Sequence, residues 1–155
     1  MNVFSEFLYI INSYLCFWYY TYIYGEYPLS FLLLLNKETI SFALHRKEEI
    51  QEMYKKIPYD EKTRFVNNVK DQLKENSVYL RKNDFPYNVP WYVKHYVMWM
   101  KPGLTMNDEA LCCAIKSSII AEFKVPLKFV YFRNAIKNKS IPEIEHYHVF
   151  IVNTF

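Results

Sequence analysis

Tyr92-Val93-Lys94-His95-Tyr96-Val97-Met98-Trp99-Met100-Lys101 is rich in aromatic and β-branched residues, and Pro102-Gly103 stops it. A run of this kind bounded by turn formers reads as a strand. Period two places His95, Val97, Trp99 and Lys101 on one face, with Tyr96, Met98 and Met100 on the other. This strand decides the fold class, because helical patterns lie on both sides of it and further strands follow.

Upstream, Asp84-Phe85-Pro86-Tyr87-Asn88-Val89-Pro90 is a rigid connector, since each proline fixes its own φ and restricts its predecessor. Before the connector, Lys47 to Ile57 carries Ile50, Met53, Tyr54 and Ile57 at one-face helical spacing, and Pro58 ends the pattern. Asp60 is placed to cap a second helix whose buried stripe is Phe65, Val66, Val69 and Leu73. Downstream, Thr105 followed by Asp108 resembles a capping box with Asp in place of Glu. The helix it opens puts Leu111, Ala114, Ile115, Ser118 and Ile119 on one side and ends before Pro126. Strands are predicted at Leu127 to Phe132 and Glu145 to Val152, joined by the loop Arg133 to Glu143. In the last strand His146, His148, Phe150 and Val152 share one face. The order helix, helix, strand, helix, strand, strand predicts one α+β domain over residues 36–155. Its sheet is expected to be small, antiparallel or mixed, with at least three strands and helices packed on one face.

Hydrophobic residues at 52% and charged residues at 23% exclude a disordered chain. With only 2 glycines, neither a dinucleotide fingerprint nor a Walker loop can be assembled. The formal charge of +3 is mild, and basic residues alternate with acidic ones, as in Arg46-Lys47-Glu48-Glu49 and Asp60-Glu61-Lys62. Such runs read as solvated helix faces, and no nucleic-acid partner is expected. Arg133 to Lys139 is the one locally basic loop. Cys16, Cys112 and Cys113 form neither a disulfide framework nor a Cys-x-x-Cys pair, which suits a reducing compartment.

Residues 1–35 stand apart. Phe7 to Gly25 has no charged residue, and Leu29 to Leu35 forms a second apolar run. The first run is long enough to cross a bilayer, yet its tyrosines, Asn12, Ser13 and Thr21 suit an interface. Three readings stay open: a membrane anchor with contact through residues 7–35, a core segment packed under the domain, or extra sequence ahead of it. If it is an anchor, Lys37, Arg46 and Lys47 place the rest of the chain in the cytoplasm.

Two imidazoles at i, i+2 on a strand point the same way, so His146 and His148 can bind an anion or act as acid and base. His95 joins them if the first and third strands pair. A zinc site would need all three histidines in a favourable register. His146-Tyr147-His148-Val149-Phe150 also resembles a truncated histidine-triad strand, as in nucleotide hydrolases and transferases. Phe150 stands there for the third histidine, so covalent phosphoramidate chemistry is undermined. The bland alternative is that strand histidines only hydrogen-bond at a half-buried face.

Three ordered motifs resemble the fungal N-acetylglucosamine-induced protein family. They are Asp84-Phe85-Pro86-Tyr87, the strand His95 to Lys101 with its His-x-Val-x-Trp-x-Lys pattern, and a block from Phe132 to Val149. That block contains Asn134, Lys139-Ser140-Ile141 and Glu145-His146-Tyr147-His148-Val149. Leu44-His45-Arg46 is similar to a stretch in the family's helical start. Asn88 and Ala135 depart from the pattern. The resemblance implies a cytoplasmic domain linked to amino-sugar response, and it transfers no mechanism. The leading expectation is a pocket of His95, Trp99, Lys101, Asn134, Ser140, His146 and His148 that takes a small anionic or sugar-like ligand. Its rival is a non-catalytic protein-interaction module with structural histidines. The residues assign no cofactor, metal or reaction.

Overall fold

Strand β5 (His146–Val152) occupies the centre of a five-stranded mixed sheet of order β1-β4-β5-β3-β2. This computed structural model describes residues 25–152, so the readings of residues 1–24 lie outside them. Strands β3 (Val93–Met100) and β4 (Lys128–Asn134) flank β5, each antiparallel to it. Strand β2 (Val78–Lys82) continues the sheet beyond β3, and the two-residue β1 (Thr39–Ile40) runs parallel to β4. The α-helices among the described residues are α1 (Leu29–Leu34), α2 (Glu48–Lys55), α3 (Tyr59–Glu75) and α4 (Asp108–Phe123). A 3₁₀ turn, Ile136–Asn138, follows β4.

This is the expected α+β class with a mixed sheet. The helices are divided between its two faces, for a reason visible in β3, where from His95 onward both sets of alternate residues are buried. Tyr96, Met98 and Met100 pack with Val149 and Ile151 under α4, which contributes Leu111, Ile115 and Ile119. Val97 and Trp99 face the other way and meet Val66, Val69 and Leu73 of α3. Further along that second face, Val130, Phe132 and Phe150 pack with Tyr27, Leu32, Leu35 and Leu44. The described part of the N-terminal stretch therefore contributes core residues. Among the described residues, no helix is long and apolar enough to cross a membrane.

Two helix starts differ from expectation. Asn107 caps α4, its Oδ1 accepting the Ala110 N–H at 2.8 Å, so the Thr105/Asp108 box is not used. An Asn immediately before the helix satisfies the third-residue amide directly, and Asp108 falls inside the first turn. Asp60 likewise lies within the first turn of α3, where its charge suits the positive end of the helix dipole, and Pro58 precedes that helix without a side-chain cap. Helix α2 has the expected apolar spacing but buries none of its residues, and Met53 is 60% exposed.

Candidate functional site

Antiparallel pairing of β3 with β5 sets Trp99 opposite His146 and Val97 opposite His148, which places His95 diagonal to His148. Alternation turns all of these side chains to the face that α4 does not cover. Asn134 reaches the same face from the end of β4. His95, His146, His148 and Asn134 are all buried. Buried polar groups need partners, and here the partners form a directed chain.

Its starting point is a backbone amide, whose direction is not negotiable. Tyr87 N–H donates to His95 Nδ1 at 3.1 Å. The His95 proton must then sit on Nε2, which donates to His148 Nδ1 at 2.9 Å. His148 in turn carries its proton on Nε2, 2.9 Å from the Asn134 amide. A ring N–H needs an acceptor, so we assign the Asn134 oxygen to that position. The same oxygen takes the Tyr87 hydroxyl at 3.0 Å, a group that burial keeps protonated. The outer end of the amide, which becomes its NH₂ group, is buried without a partner among the described residues. Stacking locks the chain in place, with Tyr87 4.9 Å from His95 and Phe150 4.5 Å from His95 between ring centroids.

Burial, reinforced by the Arg46 charge, pushes His95 down to about 3. His148 is held well below its ordinary range by burial and then by the neighbouring His95. Both are neutral at pH 7, as the chain requires. With the His148 nitrogens engaged, neither is left to attack a phosphorus atom, and the His95 and His148 nitrogens face each other rather than a shared ion. Among the described residues, no group of three His, Cys, Asp or Glu side chains is placed to hold a metal.

His146 is different. Its Nδ1–H donates to the Ile144 carbonyl at 2.8 Å, leaving Nε2 as a lone pair with no hydrogen bond among the described residues. Burial lowers its pKa as well. Its ring lies 4.6 Å from that of Trp99. Both line a cavity of about 420 Å³ between the sheet and α2–α3, where Ser140 also lies. A smaller chamber of about 140 Å³ adjoins it and is lined by Asn134, Tyr87 and Asn138. Arg46, Tyr54, Ser140, His146 and His148 line both spaces, so they stand at the junction.

Arg46 is the residue that sequence reading placed wrongly. The run Arg46-Lys47-Glu48-Glu49 looked like one solvated helix face, yet α2 starts at Glu48 and Arg46 precedes it, half-buried. Its Nε donates to the Phe85 carbonyl at 2.9 Å and its Nη1 to Gln51 Oε1 at 3.4 Å. The guanidinium carbon lies 4.3 Å from the Tyr54 ring centre and 5.0 Å from that of Tyr87. Clamped between two aromatic faces, it is a fixed cation at the junction. Lys55, Lys62, Arg81 and Lys82 add positive charge to the wall of the main cavity, against Glu61 and Asp84. Asp84 is already paired with Arg81 at 2.8 Å. The connector also supplies more than rigidity, since Tyr87 starts the chain and Phe85 anchors Arg46. The only sequence signals for these residues were the short Leu44-His45-Arg46 and Asp84-Phe85-Pro86-Tyr87 motifs.

Of the expected pocket, the structure brings together His95, Trp99, Asn134, Ser140, His146 and His148. Lys101 is not among them. It lies one residue past the end of β3, exposed, with Nζ donating to the Lys74 carbonyl at 3.3 Å. Glu145 points away from the histidines, as alternation predicts, and binds the buried Lys139 at 2.6 Å.

The family described as "Protein of unknown function (DUF3605)" matches residues 34–152, and the chain belongs to it. A search of curated proteins finds no match. A solved structure titled "Crystal Structure of HTC1" is similar at 21% identity over 70% of this chain and 76% of that one, with a TM-score of 0.42. A likeness at that level carries no functional argument.

Proposed function

We propose that this member of the DUF3605 family binds a small anionic or sugar-like ligand at the junction of the two cavities. One observation carries the reading. A fixed guanidinium and an uncommitted imidazole lone pair line the same spaces, inside a wall richer in basic than in acidic side chains. A guanidinium suits a carboxylate or phosphate, and a neutral imidazole acceptor suits a hydroxyl. His146 is also the residue best placed to serve as a general base should the ligand react. Trp99 and Ser140 complete the wall beside it. The ordered motifs around Tyr87, His95 and His146 support placing the chain with the fungal N-acetylglucosamine-induced proteins, and so with a cytoplasmic role in amino-sugar response.

The rival reading, an interaction module with structural histidines, is favoured by one specific observation. The ring nitrogens of His95 and His148 are taken up by their own chain, and in our reading they are scaffold, with His146 offering the ligand a free nitrogen. The test is thermal stabilisation of the full chain across nucleotides, amino-sugar phosphates and divalent metals, since a binder of the folded state must raise its stability. A shift with phosphorylated compounds that His146→Ala abolishes supports the site. A flat panel on a cooperatively melting protein gives the case to the interaction module.

A further inference from the structure

Asn134 lines the small chamber, and the outer end of its amide is the other group of the site without a partner among the described residues. That end is buried and has no partner among the described residues, in a residue only 5% exposed. Its identity follows from the hydrogen-bond chain. Because the Tyr87 backbone amide forces protons outward through His95 and His148, the Asn134 oxygen is consumed and the free end is a donor. A buried N–H without a partner is destabilising, so an oxygen is wanted there. The junction thus offers three complementary demands: Arg46 for an anion, His146 Nε2 for a hydroxyl hydrogen, and the Asn134 NH₂ for an acceptor oxygen. Both His146 and Arg46 line the chamber with Asn134, so a small molecule seated there adjoins all three residues.

Resting on the reading above, we infer that the ligand class is an anionic polyol, a hydroxylated chain or ring bearing a phosphate or carboxylate. Its anionic group sits against Arg46. One hydroxyl donates to His146, and a further hydroxyl or carbonyl oxygen enters the small chamber and accepts from Asn134. Inorganic phosphate alone satisfies only Arg46, and a neutral polyol satisfies only the other two groups. The main cavity, at about 420 Å³, lies in the range usual for small-molecule sites.

The experiment titrates the full chain by calorimetry with inorganic phosphate, sorbitol, glucose 6-phosphate and gluconate. The two anionic polyols separate a phosphate source of charge from a carboxylate source. At least one is expected to bind tenfold or more tightly than both phosphate and sorbitol. Asn134→Asp keeps an acceptor for His148 and Tyr87 but replaces the chamber donor with a second acceptor. Its charge also opposes any anion at Arg46, so it is expected to weaken both anionic polyols more than inorganic phosphate and to reduce that preference to within about threefold. Arg46→Gln is expected to remove phosphate binding. Equal affinity for phosphate and both anionic polyols overturns this inference and leaves the anion site standing. So does an unchanged preference in Asn134→Asp. Absence of binding by every probe overturns both. Should Asn134→Asp fail to fold, the wild-type ratios alone decide.

Discussion

Alternate residues of the same strands build two faces of different kinds. Beneath α4, Met98, Val149, Ile151, Ile115 and Ile119 form an apolar layer in which every one of these side chains is at most 1% exposed. On the opposite face the same strands present His95, His146, His148 and Asn134, also buried, beside Phe132 and Phe150. The first face needs only shape and volume. The second depends on proton direction, because each imidazole must give and take at the right nitrogen. The difference locates the site. Where groups are satisfied the polar face behaves as scaffold, and His146 Nε2 and the outer Asn134 amide, both without a partner among the described residues, are where a ligand is wanted.

Acid should break the comparison most severely. His95 and His148 both have folded pKa values below their unfolded value near 6.5, so between that pH and their folded values the unfolded chain binds more protons. Their stabilisation is therefore present above about pH 6.5 and lost as pH falls toward the folded values. Each contributes a slope of up to about 1.4 kcal/mol per pH unit. Urea melts at pH 6.5 and 4.5 are expected to differ by on the order of 3–5 kcal/mol. Replacing both residues by Gln should make that dependence shallower and leave the part due to His146, and an equally steep profile in the double variant would show that other groups drive it. The apolar face supplies the next effect. Ile115→Ala should cost about 2–5 kcal/mol at any pH in this range, with no change in ligand affinity.

The elements that the sequence made legible were those with a period. The alternation in β3 and β5 correctly assigned every named histidine to its face, and the stripe Val66, Val69, Leu73 is the buried edge of α3. What escaped had no period to show. Strand β1 is two residues long, and β2 is half-buried at a sheet edge, with no marked alternation in its burial. Arg46 was hidden because charge alternation looks the same on a solvated helix and just ahead of one. The division of labour among the histidines was also beyond the sequence. It depends on Tyr87 N–H and the Ile144 carbonyl, backbone groups that no residue type reports.

Within the polar face, two histidines two residues apart should respond in opposite ways. His148→Phe retains the buried area but leaves the His95 N–H without an acceptor. A net loss of about 1–3 kcal/mol is expected, detectable as an earlier denaturation midpoint. His146→Gln keeps a donor for Ile144 and should cost about 1 kcal/mol or less, while weakening the binding of a ligand that needs the Nε2 lone pair by tenfold or more. If the order of the two stability effects is reversed, the assignment of scaffold to His148 and site to His146 fails.

The smallest effect is the sharpest test of where the core ends. Met53 has the helical spacing of a buried residue, and by pattern alone its loss should resemble that of Ile115. Yet α2 buries none of its side chains, and it stands over the cavity instead of on the sheet. Truncating an exposed methionine removes little contact, and alanine has the higher helix propensity, so Met53→Ala should change stability by no more than about 0.5 kcal/mol in either direction. A loss of 2 kcal/mol or more in a urea melt would mean that α2 is packed onto the domain in solution and that the main cavity is closed. If instead the variant melts with the wild type, the spacing of Ile50, Met53, Tyr54 and Ile57 has a use other than core burial. Tyr54 and Ile57 of that stripe line the space that Trp99 and His146 line from the sheet.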